Sequence, residues 1–184
     1  MKTEDVLESC IFEFRKMKQR ADRALAQVSA EDLFRKLDPE SNSIAEVMKH
    51  VGGNLRSRWT DFLLSDGEKA GRHRDMEFVR SETDTPERLL QNWESGWACL
   101  FETLHNLRPE DMVRSVAIRG ERHSVIEAIH RTLTHSANHV GQIIFLAKHF
   151  AGPRWQTLTV PRGQSEQYTA GMIQSQGGGY LSKG

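Results

Sequence analysis

The stretch VIEAIHRTLTHSANHVGQIIFLAKHF, residues 125–150, decides the fold. On a helix turning about 100° per residue, Val125, Ile129, Val140, Ile143 and Ala147 form one apolar stripe. Ser124 stands where an N-cap belongs, and Gly152-Pro153 closes the run. A helix of this length with one apolar stripe has to bury that stripe against other elements. The same stretch carries chemistry, because His135 and His139, four residues apart, project from one side about 6 Å apart at Cβ, within reach of a single metal ion. They lie on the flank of the stripe, with Gln142 beside them. Flank positions line the groove towards a neighbouring helix, which is where bundles build metal sites.

Three further segments repeat the helical pattern. From Thr3 to Gln27, apolar residues including Val6, Ile11, Phe14, Met17, Ala21 and Leu25 recur mostly at three- and four-residue steps. A short helical piece follows at Ala30 to Lys36. Asn42-Ser43 can cap a second long helix carrying Ile44, Val47, Met48, Val51, Leu55, Trp59 and Phe62, with Gly67 just past its end. Gly52-Gly53 inside this pattern points to close packing. Asp84-Thr85-Pro86-Glu87 supplies an N-cap, a first-turn proline and an acid suited to the helix dipole, so a third helix runs through Trp93 and Trp97 and ends before Pro109. The tryptophans at helical spacing read as core.

Between these helices lie two long connections. Residues 66–75 are polar, hold two glycines and show little periodicity, and a connection of this size inside a bundle often carries function. Met112 to His123 has β-branched residues up to Gly120, the pattern of a small hairpin or extended loop. The expected fold is therefore all-α, a four-helix bundle with long connections in which simple up-down-up-down order is doubtful. The expected boundaries are residues 1–163 for the bundle and 164–184 for an extended polar tail, ending in Gly, Gln and Ser, without the composition to build a core.

Charge narrows the function. Lys+Arg and Asp+Glu both number 25, so no global field favours nucleic acid or an anionic membrane. No stretch approaches the apolar length of a membrane span, and the sequence reads as cytoplasmic. Cys10 and Cys99 lack CxxC or Cys/His spacing and fit reduced core thiols.

His50, in the second helix, sits off the main stripe with Asn54 one turn later, and is a third candidate ligand. Three neutral imidazoles suit Zn²⁺ or Ni²⁺ and leave a position open for water or substrate. Ser136 follows His135, so the glutamate of HExxH is missing and peptide hydrolysis by that route is disfavoured. From spacing alone, ordinary hydrogen-bonded helix-flank histidines explain the pattern as well as a metal does. His73, His105, His123, His130 and His149 are weaker candidates. Arg72, Arg74, Asp75 and Glu77, with Arg119, Gly120 and Glu121, could gather as a polar rim at one end of the bundle, although loop charges are more often simply solvated.

The ordered set His50-Val-Gly-Gly-Asn54, Arg58-Trp-Thr-Asp-Phe-Leu, Asp66-Gly-Glu-Lys, Arg119-Gly-Glu and His135-x-x-x-His139-Val-Gly-Gln142 resembles the DinB-like metal-binding superfamily, in particular a bacterial branch of it, over roughly Thr3 to Gly163. The resemblance implies a bundle with non-sequential helix order, a homodimer, and a divalent ion held by His50, His135 and His139. Relatives include S-transferases and isomerases that use the low-molecular-weight thiols bacillithiol or mycothiol. The expectation is thus a metal-dependent thiol S-transferase or related enzyme, without assignable catalytic residues. The alternative is a non-catalytic dimeric protein of the stress response that binds a metal or ligand.

Overall fold

The computed structural model describes residues 3–175. Four long helices form its frame: α1 Thr3–Leu25, α2 Ile44–Trp59, α3 Pro86–Asn106 and α4 Val125–Ala151. Before α4 the strands β1 Ser115–Ile118 and β2 Glu121–Ser124 pair antiparallel, with Val116 opposite His123. The extensive helix contacts are α2 with α3 and α1 with α4, and lesser contacts of α2 with α4 and α1 with α3 close the ring. Consecutive helices α1 and α2 therefore lie diagonally, as do α3 and α4. The architecture is the all-α bundle with long connections and a small hairpin that the periodicity implies.

Helix starts follow local chemistry. Ser43 Oγ accepts from the Glu46 N–H at 3.2 Å while Glu46 Oε2 accepts from the Ser43 N–H at 2.7 Å, a reciprocal cap that opens α2. Ser124 and Glu127 do the same for α4, and Thr85 caps α3 ahead of Pro86. α2 ends earlier than its apolar pattern suggests, at Trp59 rather than beyond Phe62. Asp61 turns to φ 48°, a left-handed conformation that short polar residues tolerate, and its carbonyl accepts from the Leu64 and Ser65 amides. Phe62 is still buried, its ring tilted against that of Trp59 at 4.4 Å, outside the helix.

The core runs the length of the bundle. Trp59, Trp93 and Trp97 are each at most 1 % exposed, which places all three in the interior as expected. Cys10 is buried, Cys99 is half-buried, and neither is in a disulfide. Between α2 and α3 the backbones nearly touch: a Cβ at Gly96 would lie 2.8 Å from Gly52 Cα. Glycine at both positions permits that approach.

The connection after α2 folds back on the hairpin. Asp66 accepts from the amides of Arg119 at 2.8 Å and Gly120 at 2.7 Å, and the Gly67 amide donates to Ala117 O at 2.8 Å. Arg119 and Gly120 both have positive φ, 56° and 77°, the geometry of a two-residue hairpin turn whose twist matches its strands.

The tail departs from expectation in part. Residues Ser165–Ser175, read as extended, form a helix, α5. No α5 residue is buried, so the segment lacks the apolar stripe by which the other helices are recognisable. The Gly/Gln/Ser-rich end from 176 to 184 lies outside the described residues.

Candidate metal centre

α2 and α4 face each other across a seam, and that seam brings three histidines together. His50, His135 and His139 each offer one ring nitrogen, all within 4.8 Å of one another. The ring centroids of His50 lie 5.1 Å from those of His135 and 4.7 Å from those of His139, and the last two are 4.6 Å apart. His50 Nε2 and His135 Nε2 are 3.0 Å apart. Two ligand nitrogens about 2.0–2.1 Å from a tetrahedral zinc stand roughly 3.3 Å apart, close to this separation. His50 is 3 % exposed, whereas the α4 pair is half-buried, so the cluster is reached from its α4 side.

The partners of the rings fix which nitrogen points inward. Nδ1 of His50 lies 2.8 Å from Glu77 Oε2, and Nδ1 of His139 lies 3.0 Å from Gln142 Oε1. Both partners are acceptors, so both imidazoles carry their proton on Nδ1 and present an Nε2 lone pair. The lone pairs of His50 and His139 converge on the His135 ring, whose single N–H can serve only one of them, whereas a cation satisfies all three rings. The donor set therefore fits a divalent ion, though it does not fix which one. Nδ1 of His135 is buried without a partner.

Electrostatics favour the ligand form of the α4 pair. Burial, then the neighbouring His139 and His50, then Arg58 and Arg72, push His135 down to about 3. Burial also lowers His139, followed in weight by the opposing effect of its hydrogen bond to Gln142 and by the like charges of His50 and Arg74. Both rings are neutral at neutral pH, as metal ligation requires.

Behind His50 stands an acid held by an arginine. Arg72 Nε donates to Glu77 Oε1 and Arg72 Nη2 to Glu77 Oε2, each at 2.8 Å. Arg72 Nη1 reaches Glu68 Oε2 at 3.2 Å, and Arg119 Nε reaches the same oxygen at 3.3 Å. Burial would raise the Glu77 carboxyl, but hydrogen bonds from His50 and Arg72 outweigh it and keep the group ionised. Glu77 lies on a short 3-10 turn, Arg74–Phe78, whose Phe78 ring packs 4.7 Å from the His50 ring. Gly53 clears the space, since a Cβ there would collide with Glu77 Oε1.

The rim residues of the sequence reading thus divide. Arg72 and Glu77 are half-buried supports of His50, not solvated charges, because the 66–85 connection folds over α2. Asp75 is 99 % exposed in its side chain and Arg74 about half, so these two are solvated. Glu121 pairs with Arg131 at 3.3 Å near the surface. Among the described residues, His73, His105, His123, His130 and His149 join no such group. Spacing did not single out Glu77 as a support for His50; the glycine opposite it was the available signal.

A cavity of about 700 Å³ opens on the other side of this acid, lined in part by Gly53, Arg56, Lys69, Arg72, Glu77 and Asp84, and by none of the three histidines. Four of its cations already have partners: Lys49 with Asp84, Arg56 with Ser95, Lys69 with Asp66 O and Arg72 with Glu77. It meets the histidine cluster through Glu77, which lines it and accepts from His50. Among the described residues no helix is long and apolar enough to cross a membrane.

No curated protein matches the chain. Residues 2–164, which span all four long helices and the three histidines, match the model of the family described as Protein of unknown function (DUF1572), and the chain belongs to that family.

Proposed function

We propose that this protein is a metal-dependent enzyme of the DinB-like kind, with Zn²⁺ or Ni²⁺ held by His50, His135 and His139, acting as a thiol S-transferase in the cytoplasm as a homodimer. The single observation that carries the metal is the convergence of three imidazoles from two helices, one of them on a carboxylate that is itself held by an arginine. When bound, the ion would supply Lewis acidity, favouring the thiolate of a low-molecular-weight thiol over the thiol. The chain's own part is positional: Arg72 holds Glu77, Glu77 fixes the tautomer of His50, and Gln142 fixes that of His139.

Metal analysis of protein purified without a histidine tag tests this reading. Roughly one transition ion per chain is expected, lost in His135→Ala. Less than about a tenth of an equivalent in the parent protein overturns it. Turnover in a screen of thiols against electrophiles, abolished by His50→Ala, carries the transferase, and sedimentation velocity tests the dimer.

One observation favours a second reading, a non-catalytic dimeric protein that binds a metal or ligand in the stress response. Glu77 is engaged by both His50 and Arg72, so it is not free to move protons beside the histidines. A metal-loaded protein without turnover towards any thiol would support this reading over the first.

A further inference from the structure

Two turns along α2 from His50, the row His50, Asn54, Arg58 continues at four-residue steps, with Asn54 5 % and Arg58 4 % exposed. Arg58 makes no hydrogen bond and no ion pair with any described residue, and its Nε is completely enclosed. The Asn54 amide is equally without a partner, with Oδ1 enclosed. A buried guanidinium alone in an interior is strongly unfavourable, so a structure that keeps one points to a missing counter-charge.

The surroundings sharpen the requirement. Arg72 faces Glu77 and Glu68, Arg119 faces Glu68, and Arg131 faces Glu121. Arg58 feels the charge of Glu68 only from beyond ion-pair distance, since that carboxylate is held by Arg72 and Arg119, and it is the cation of this group without a carboxylate in contact. Burial, then the like charges of Arg131 and Arg72, hold it down to about 10, which leaves it cationic at neutral pH. Side chains on a helix lean towards its N-terminus, which brings the Arg58 head back towards His50. Its field reaches His135.

We propose that Arg58 and Asn54 bind the carboxylate of a small anionic ligand whose other end is taken at the three histidines. A carboxylate matches the planar donor fork of arginine, and the Asn54 amide N–H group supplies a further donor beside it. Asn54 Oδ1 remains for an N–H or O–H of the same ligand. In assigning the other end, the inference rests on the metal reading above. The carboxylate has two possible sources, the thiol itself or a second substrate.

Thermal unfolding of the full chain, zinc-loaded and chelator-stripped, tests it with sodium propionate, 3-mercaptopropionate and 2-mercaptoethanol against sodium chloride at equal ionic strength. Propionate should raise the midpoint above chloride in both forms. In Arg58→Met the advantage should vanish, and Arg58→Lys should need roughly tenfold more propionate or above. Asn54→Asp should place an internal carboxylate beside Arg58, raise the midpoint without ligand and abolish the propionate response; it carries the test should Arg58→Met fail to fold. A zinc-dependent preference for 3-mercaptopropionate over both other probes assigns the carboxylate to the thiol, and 3-mercaptopropionate acting no more than propionate, with or without zinc, assigns it to a second substrate. Either supports the site. Propionate acting no more than chloride, or equally in Arg58→Met and wild type, overturns it. Protein that takes up no zinc overturns the metal reading instead, while the propionate comparison still decides on Arg58.

Discussion

Glu77 shows how much a single side chain outside the ligand set can control. By accepting from His50 Nδ1 it keeps Nε2 available as a lone pair, and it does so because Arg72 pins both of its oxygens. Glu77→Gln can present its N–H group to the ring and favour the other tautomer. The ion should then bind about 10–100-fold more weakly, read by competition with a chromophoric chelator. Glu46 supports structure in the same way. It is buried, caps α2 through Ser43, and pairs with Lys36 at 2.8 Å. Burial opposes its ionisation, but Lys36 and Ser43 prevail and hold the carboxyl below its ordinary 4.5. Its contribution is therefore complete above that value and is lost as pH falls through the folded-state value. Wild type should exceed Glu46→Gln in urea stability at neutral pH, and the difference should close in strongly acid solution. At this scale His135 and His139 were legible because a fixed helical step puts them on one side. His50 needed the resemblance, since its angle on α2 is less favourable. Glu77 and Arg72 sit in a connection without a period, so no spacing rule could aim them at the ring.

Among the elements, α2 is clamped on two sides by glycines that do different work. Gly52 and Gly96 let α2 and α3 approach backbone to backbone, and added bulk there has nowhere to go but against the chain itself. Gly96→Ala should destabilise by about 1–3 kcal/mol in chemical denaturation. Gly53 instead faces the end of a flexible side chain, that of Glu77. Gly53→Ala should leave stability nearly unchanged but displace the acid and weaken the ion, seen as an altered ratio of metal affinity to unfolding midpoint. The contrast separates packing from site support on one helix. Element positions were legible wherever a cap met an apolar stripe, as at Ser43 and Ser124. The end of α2 was not, because Phe62 keeps the apolar rhythm after Asp61 has already turned the chain. α5 escaped for the opposite reason: with no buried residue it has no stripe to read.

For the molecule as a whole, the ion would be a cross-link between residues far apart in the chain. At a free concentration a hundred times its dissociation constant it adds about 2.7 kcal/mol to folding stability, which for a chain of this size raises the melting midpoint by roughly 5–10 °C. Stripping with a chelator should lower the midpoint by that amount in wild type and not at all in His50→Ala, as followed by circular dichroism. An unchanged wild-type midpoint would mean that the histidines merely pack. The all-α class was legible because each long helix carries a single stripe to bury. The diagonal placement of consecutive helices was not fixed by any stripe, since a stripe says that a face is buried and not against which partner.

That placement also dictates an order of assembly. α2 and α3 are neighbours in both sequence and space, whereas α1 rests on α4, which begins about a hundred residues after α1 ends. As the chain leaves the ribosome, the α2–α3 pair can close at once, while α1 has only its lesser contacts with α3 until its main partner, the last long helix, arrives. The nascent protein therefore carries an apolar helix only partly covered for most of its synthesis. The three histidines come together only at the final step, when residue 135 reaches residue 50.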